Sequence, residues 1–189
     1  MLLIVAFISL SVLQAQEFNF GAKGGLNFAT LVGDDVDDVS TRTSFHLGLV
    51  AEIPLANKLL FGPEVLYSSQ GAKIDDAGDE GAFKLDYIQV PLMLKYLVGP
   101  GFSLEAGPQV GFLTSSEVEM DGVSADMSDF FSTVDFGLNL GLGYRFINGF
   151  FLQGRYNLGL SNIWDSEEFD LGDSKVKNSV IQASIGFMF

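Results

Sequence analysis

Between Val134 and Phe146 every second residue is apolar: Val134, Phe136, Leu138, Leu140, Leu142, Tyr144 and Phe146. Asp135, Gly137, Asn139, Gly141, Gly143 and Arg145 lie between them. A period of two belongs to a β-strand, whose successive side chains point to opposite faces, so one face here is apolar and the other is glycine, amide and charge. Length narrows the choice further. An ordinary strand runs about five or six residues, whereas a tilted strand crossing a bilayer needs about nine to eleven. The unbroken alternation from Val134 to Phe146 meets the second requirement.

The same phase recurs along the chain. It predicts strands over 18–28, 45–53, 59–69, 84–97, 102–113 and 150–160, and a last strand ending at Phe189. Short connections, 54–58, 98–101 and 147–149, alternate with long polar segments, 30–43, 71–83, 114–131 and 162–177. Long loops on one rim and short turns on the other predict an all-β fold: an eight-stranded antiparallel up-and-down transmembrane β-barrel with short periplasmic turns and long extracellular loops. Aromatic residues of the apolar phase (Phe18, Phe20, Phe61, Tyr96, Phe102, Tyr144, Phe146, Phe150, Phe187, Phe189) gather at the short-turn ends, as in an interfacial girdle. Pro63, Pro91 and Pro108 fall inside strands that a closed barrel leaves without edges, so a bulge is expected at each.

Alternation alone does not say which face is inside, and a soluble barrel with the phases reversed has the same pattern. Strand length favours lipid outside, as does the glycine of the polar phase, part of the chain's 22 Gly, which leaves room in a narrow lumen. The first fifteen residues, an uncharged apolar run ending at Ala15, point the same way. They read as a signal peptide over 1–15, with the barrel over 16–189, although no basic n-region precedes them and a short membrane anchor is the alternative. At this length the run falls short of the roughly twenty residues a spanning helix needs.

Composition removes several functions. No cysteine is present, which excludes thiolate metal sites and cysteine catalysis. A net charge of −14 with ten Lys and Arg excludes the basic surface a nucleic-acid partner requires. The single histidine, His46, stands two residues from Ser44 on the same strand face. That Ser-x-His pair is a weak catalytic signal, and a hydrogen-bonded wall residue is the simpler reading; an enzyme is not expected and no cofactor is implied.

With the faces assigned, Lys23, Glu52, Glu64, Lys95, Glu105, Asp135, Arg145 and Arg155 point into the lumen as balanced acids and bases. Buried charge is costly unless paired, so these eight predict a salt-bridged plug, with a narrow path for water or ions as the alternative. The four long polar segments together hold the whole net charge of −14. They predict an acidic crown open to divalent cations, to a basic partner, or to solvent alone. Its densest cluster is Asp34, Asp35, Asp37 and Asp38, a possible weak cation-binding loop that lacks the glycine and distal glutamate of a helix-loop-helix calcium site.

Three stretches carry a family resemblance: Phe20-Gly21-Ala22-Lys23-Gly24-Gly25-Leu26-Asn27, Tyr87-Ile88-Gln89-Val90-Pro91-Leu92-Met93-Leu94-Lys95-Tyr96, and the terminal Phe189. With them the chain resembles the small outer-membrane β-barrel domain family, often labelled porin family or PorT-like, common in Bacteroidetes. The resemblance implies residence among the lipids of a Gram-negative outer membrane. It also implies that Phe187 and Phe189 are similar to the closing signal read by the barrel-assembly machinery. It carries over no catalytic residue. The expected role is structural or interactive at the cell surface with an unknown partner, the barrel acting as a monomer. The alternatives are porin-like passive transport of small solutes or ions, and an accessory part in protein secretion.

Overall fold

The computed structural model describes residues 18–33, 39–76, 79–120, 123–127, 131–163 and 176–189. Its strands are β1 (Asn19–Gly33), β2 (Val39–Ala56), β3 (Leu59–Asp76), β4 (Asp79–Leu97), β5 (Phe102–Met120), β6 (Val123–Asp126), β7 (Val134–Arg145), β8 (Phe150–Gly159) and β9 (Val176–Met188). All pairings are antiparallel. The sheet runs β4-β3-β2-β1-β9-β8-β7-β5-β6, and an additional β4–β5 pairing closes it. Eight strands form the wall, and short β6 folds back on β5 beyond it.

The faces lie as the alternation predicts. Leu49 is 66% exposed and Phe136 56%, with Leu26, Leu94, Leu104, Leu140 and Ile185 on the same outer surface. Lys23, Asn27, Glu64, Gln89, Asn139 and Arg155 are buried inside. This reverses a soluble barrel, and it is stable where the outer surface meets hydrocarbon and closure leaves no unpaired edge. At the short-turn rim the aromatic residues form contacting pairs, with ring centroids 4.6 Å apart for Phe102 and Tyr144, 4.9 Å for Tyr144 and Phe146, and 5.0 Å for Phe150 and Phe187.

Two expectations fail. The polar segments following 28 and 69 are not wholly loops. β3 and β4 stay paired as far as Asp76 and Asp79, β1 and β9 as far as Gly33 and Val176, and β5 turns into β6 through the Met120–Val123 pair. Above the lipid neither face need be apolar, so hydropathy alternation ends before the backbone ladder does.

The three prolines carry no bulge. Each keeps its register and loses pairing on one side alone. Pro63 pairs Leu92 while the β2–β3 ladder skips from Val50–Glu64 to Ile53–Phe61. Pro91 pairs Gln109 while β3–β4 skips from Pro63–Leu92 to Leu66–Gln89. Pro108 pairs Leu138 while β4–β5 skips from Pro91–Gln109 to Leu94–Ala106. In an antiparallel sheet a residue aims its N–H and C=O at the same neighbour, so a missing N–H weakens one ladder and spares the other. The register shifts lie elsewhere, between Thr41 and His46, Pro54 and Ala56, and Asp86 and Tyr87.

Small apolar clusters lie toward the two ends. Val50, Phe151 and Met188 meet near the short turns. Leu31, Ala72, Leu85, Tyr87, Phe131, Ile163 and Val176 fill the long-loop mouth. Phe131 and Ile163 come from outside the strands, and backbone bonds fasten the segment: Ser132 N–H donates to Ile163 O (2.8 Å) and Ile163 N–H to Val176 O (2.9 Å).

Candidate functional site

The lumen floor is a single chain of alternating charges. Lys23 Nζ lies 2.8 Å from Glu64, and Arg155 grips the same carboxylate with both terminal nitrogens, at 2.9 and 2.8 Å. Arg155 also reaches Glu105 at 3.5 Å, Lys95 lies 3.8 Å from Glu105 and 3.1 Å from Glu52, and Arg145 completes the series on Glu52. Gln153 ties two links together, accepting from Lys23 Nζ at 2.7 Å and donating to Glu105 at 2.6 Å; the Ser103 hydroxyl adds a bond to Glu105 at 3.1 Å. Every wall strand except β9 contributes to this ladder. Glycines make the space: a Cβ on Gly143 would stand 2.8 Å from both Glu105 and Ser103, and one on Gly62 would stand 2.8 Å from Lys95.

Thus seven of the eight lumen charges expected from parity meet in one network. Asp135 does not. It lies at the opposite end of β7, where Asn178 Nδ2 donates to it at 2.9 Å and contacts the Tyr87 hydroxyl at 3.3 Å. Gln153 and Ser103 are inward by parity, but no sequence signal marks them as bridges.

Neutral layers rise above the charges. His46 Nδ1 meets Asn27 Oδ1 and Nε2 meets Ser184 Oγ, both at 2.8 Å. The Ser44 hydroxyl instead donates to the Ser69 carbonyl at 2.6 Å, so Ser44 and His46 do not form a dyad. Asn157 donates to Asn139 and Asn139 to Gln109, each at 3.1 Å. The apolar cap follows. Below the ladder a cavity of about 400 Å³ opens between the short turns, with Glu52, Lys95, Glu105 and Arg145 on its walls.

Lys84 and Glu119 pair on the outside of the β4–β5 ladder. Asp34, Asp35, Asp37 and Asp38, like the 1–15 segment, lie outside the described residues. No group of three or more metal-binding side chains occurs among the described residues. Phe187 and Phe189 meet edge to face, ring centroids 5.7 Å apart, on the short-turn rim, where Phe189 N–H donates to Phe20 O at 2.7 Å and ties the last strand to the first.

A family model for the outer membrane protein beta-barrel domain matches residues 14–165. No curated protein sequence matches the chain. Among solved structures, Neisserial surface protein A (NspA) is similar at a TM-score of 0.58 with 16% identity, over 90% of this chain and 97% of that one. Ail, the attachment invasion locus protein of Yersinia pestis, is similar at 0.50 with 16% identity, over 90% and 99%. Ail has also been solved in complex with the heparin analogue sucrose octasulfate, at 0.50, 15% identity and the same coverage. These identities speak for the fold, and the matched span carries the family. The chain therefore belongs to the outer membrane protein beta-barrel domain family and is an integral protein of a Gram-negative outer membrane.

Proposed function

We propose that this barrel is sealed and works through its long-loop rim, as a structural or interaction element of the cell surface. One observation carries the reading: the ladder from Lys23 to Arg145 crosses the lumen and joins seven wall strands through mutually paired charges. A conducting path needs polar groups that ions can reach and leave, whereas these carboxylates are each engaged by two cations. The apolar mouth around Phe131 and Ile163 adds a second obstruction.

At the rim, the negative charge favours a basic partner or divalent cations. It disfavours a polyanion such as the heparin analogue bound to Ail. The Phe20–Asn27 and Tyr87–Tyr96 stretches support a PorT-like member of Bacteroidetes type, exported by its 1–15 segment and assembled as a monomer through Phe187 and Phe189. The test is conductance of the refolded protein in a planar bilayer, alone and with Glu52→Ala or Arg145→Ala. A silent membrane with verified folding is the expected result. Stable unitary currents altered by those substitutions would overturn the sealed barrel in favour of passive transport.

A further inference from the structure

The two ends of the charge ladder are finished differently. Lys23 is buried and places a donor on the Gln153 amide oxygen at 2.7 Å. Arg145, at the short-turn end, contacts one carboxylate, that of Glu52, which also takes Lys95, and its side chain remains 34% exposed. A guanidinium offers five N–H donors in a planar fork suited to carboxylates. Among the described residues the side-chain hydrogen bond of Arg145 is the one from Nη2 to Glu52.

The charge balance points to the same place. The ladder contains Lys23, Lys95, Arg145 and Arg155 against Glu52, Glu64 and Glu105, a formal surplus of one cation. Asp135, which would balance it, sits ten residues along β7, about 33 Å away at strand spacing, on Asn178. The ladder as a whole therefore carries one cation more than its carboxylates, and Arg145 is its most exposed cation.

Arg145 lines the cavity of about 400 Å³ open at this rim, a volume within the range of small-molecule sites. Asn19 and Ser103 are further polar groups on its wall, and Leu97 and Phe151 are apolar ones. Glu52 and Glu105 also face it, but Glu52 is held by Lys95 and Arg145, and Glu105 by Lys95 and Arg155.

We propose that this vestibule binds small amphipathic carboxylates from the periplasmic side, the carboxylate on the free donors of Arg145 and the apolar end against Leu97 and Phe151. The class is fixed by one part-exposed guanidinium, which shares a single carboxylate with Lys95 and keeps further donors, beside an apolar wall. It is independent of whether the barrel conducts.

The test is calorimetry on the full chain refolded into lipid nanodiscs, with N-acetyl-leucine as the carboxylate, N-acetyl-leucinamide as its neutral twin, and inorganic phosphate as a bare oxyanion. The acid is expected to bind saturably and about tenfold tighter than the amide, a difference of about 1.4 kcal/mol, and tighter than phosphate. Arg145→Gln should reduce the acid to the level of the amide. Glu52→Gln, which removes the competing carboxylate, should tighten the acid several-fold, a gain that a purely structural role of Arg145 does not produce. Folding of each variant is checked by the heat-dependent gel mobility of an intact barrel. Equal binding of acid and amide, undiminished binding in Arg145→Gln, or no saturable binding in both wild type and Glu52→Gln would overturn the proposal. Phosphate binding as tight as the acid would overturn the part assigned to Leu97 and Phe151.

Discussion

Arg155 and Glu64 face each other across the lumen from β8 and β3, joined by two hydrogen bonds of 2.9 and 2.8 Å with neither side chain exposed. Glu64 also carries Lys23, so one carboxylate holds two buried cations. Removing its charge leaves Lys23 without an ion-pair partner and Arg155 with Glu105 alone, at 3.5 Å. Glu64→Gln is expected to lower stability by about 3–5 kcal/mol, the usual cost of leaving a buried ion without its partner. Urea unfolding in lipid vesicles measures this, and a loss below about 1 kcal/mol would show the pairing to be energetically idle.

Asp135 provides the contrast. Its contact is the Asn178 amide, and no cation belongs to its cluster among the described residues. Asp135→Asn strands no charge, so it is expected to leave stability within about 1 kcal/mol of wild type, or to raise it, because a buried charge is replaced by a neutral amide. A loss matching that of Glu64→Gln in the same unfolding experiment would mean that Asp135 belongs to the ladder after all.

Two glycines of the wall should respond oppositely to a methyl group. A Cβ on Gly25 would come within 2.0 Å of the Ala183 carbonyl oxygen, and backbone must shift to admit it. A Cβ on Gly154 meets nothing within 4 Å. Gly25→Ala is expected to cost about 1–3 kcal/mol, as overpacking does. Gly154→Ala should stay within about 0.5 kcal/mol. Comparing midpoints of unfolding decides it; equal effects would rule out the close approach of β1 and β9 at Gly25.

The apolar cap and the charge ladder are separate closures. Ile163 is buried among Leu85, Tyr87 and Phe131 at the long-loop mouth. Ile163→Ala is expected to destabilise the barrel by about 2–5 kcal/mol through the cavity it leaves. The planar bilayer should nevertheless stay silent, because the ladder below is intact. Unitary currents appearing in this variant would show that the cap alone holds the lumen shut.

Parity along the strands makes much of the site legible in the amino-acid order. In Val134–Arg145 the apolar residues can only share a face, and Arg145 and Asp135 can only share the other. The same rule brings eight charges to one side of the wall. It does not separate Asp135 from the rest, because parity gives the face and not the height at which a partner stands. It also misses the continuation of β3 and β4 to Asp76 and Asp79, where polar residues on both faces conceal the strand. The bulges expected at Pro63, Pro91 and Pro108 do not form because each proline removes a donor from one ladder only, which a strand paired on both sides absorbs.

The amino-acid order alone determines the barrel class and the division between lipid face and lumen, since a two-residue period with long unbroken runs admits one arrangement in a membrane. Which acid meets which base follows from closure. Glu64 and Arg155 are 91 residues apart, and the stagger of strands around the barrel brings them to one height and leaves Arg145 at the open end. Register is a cooperative property of the whole ring of strands, set by every ladder at once, and no local stretch of sequence contains it.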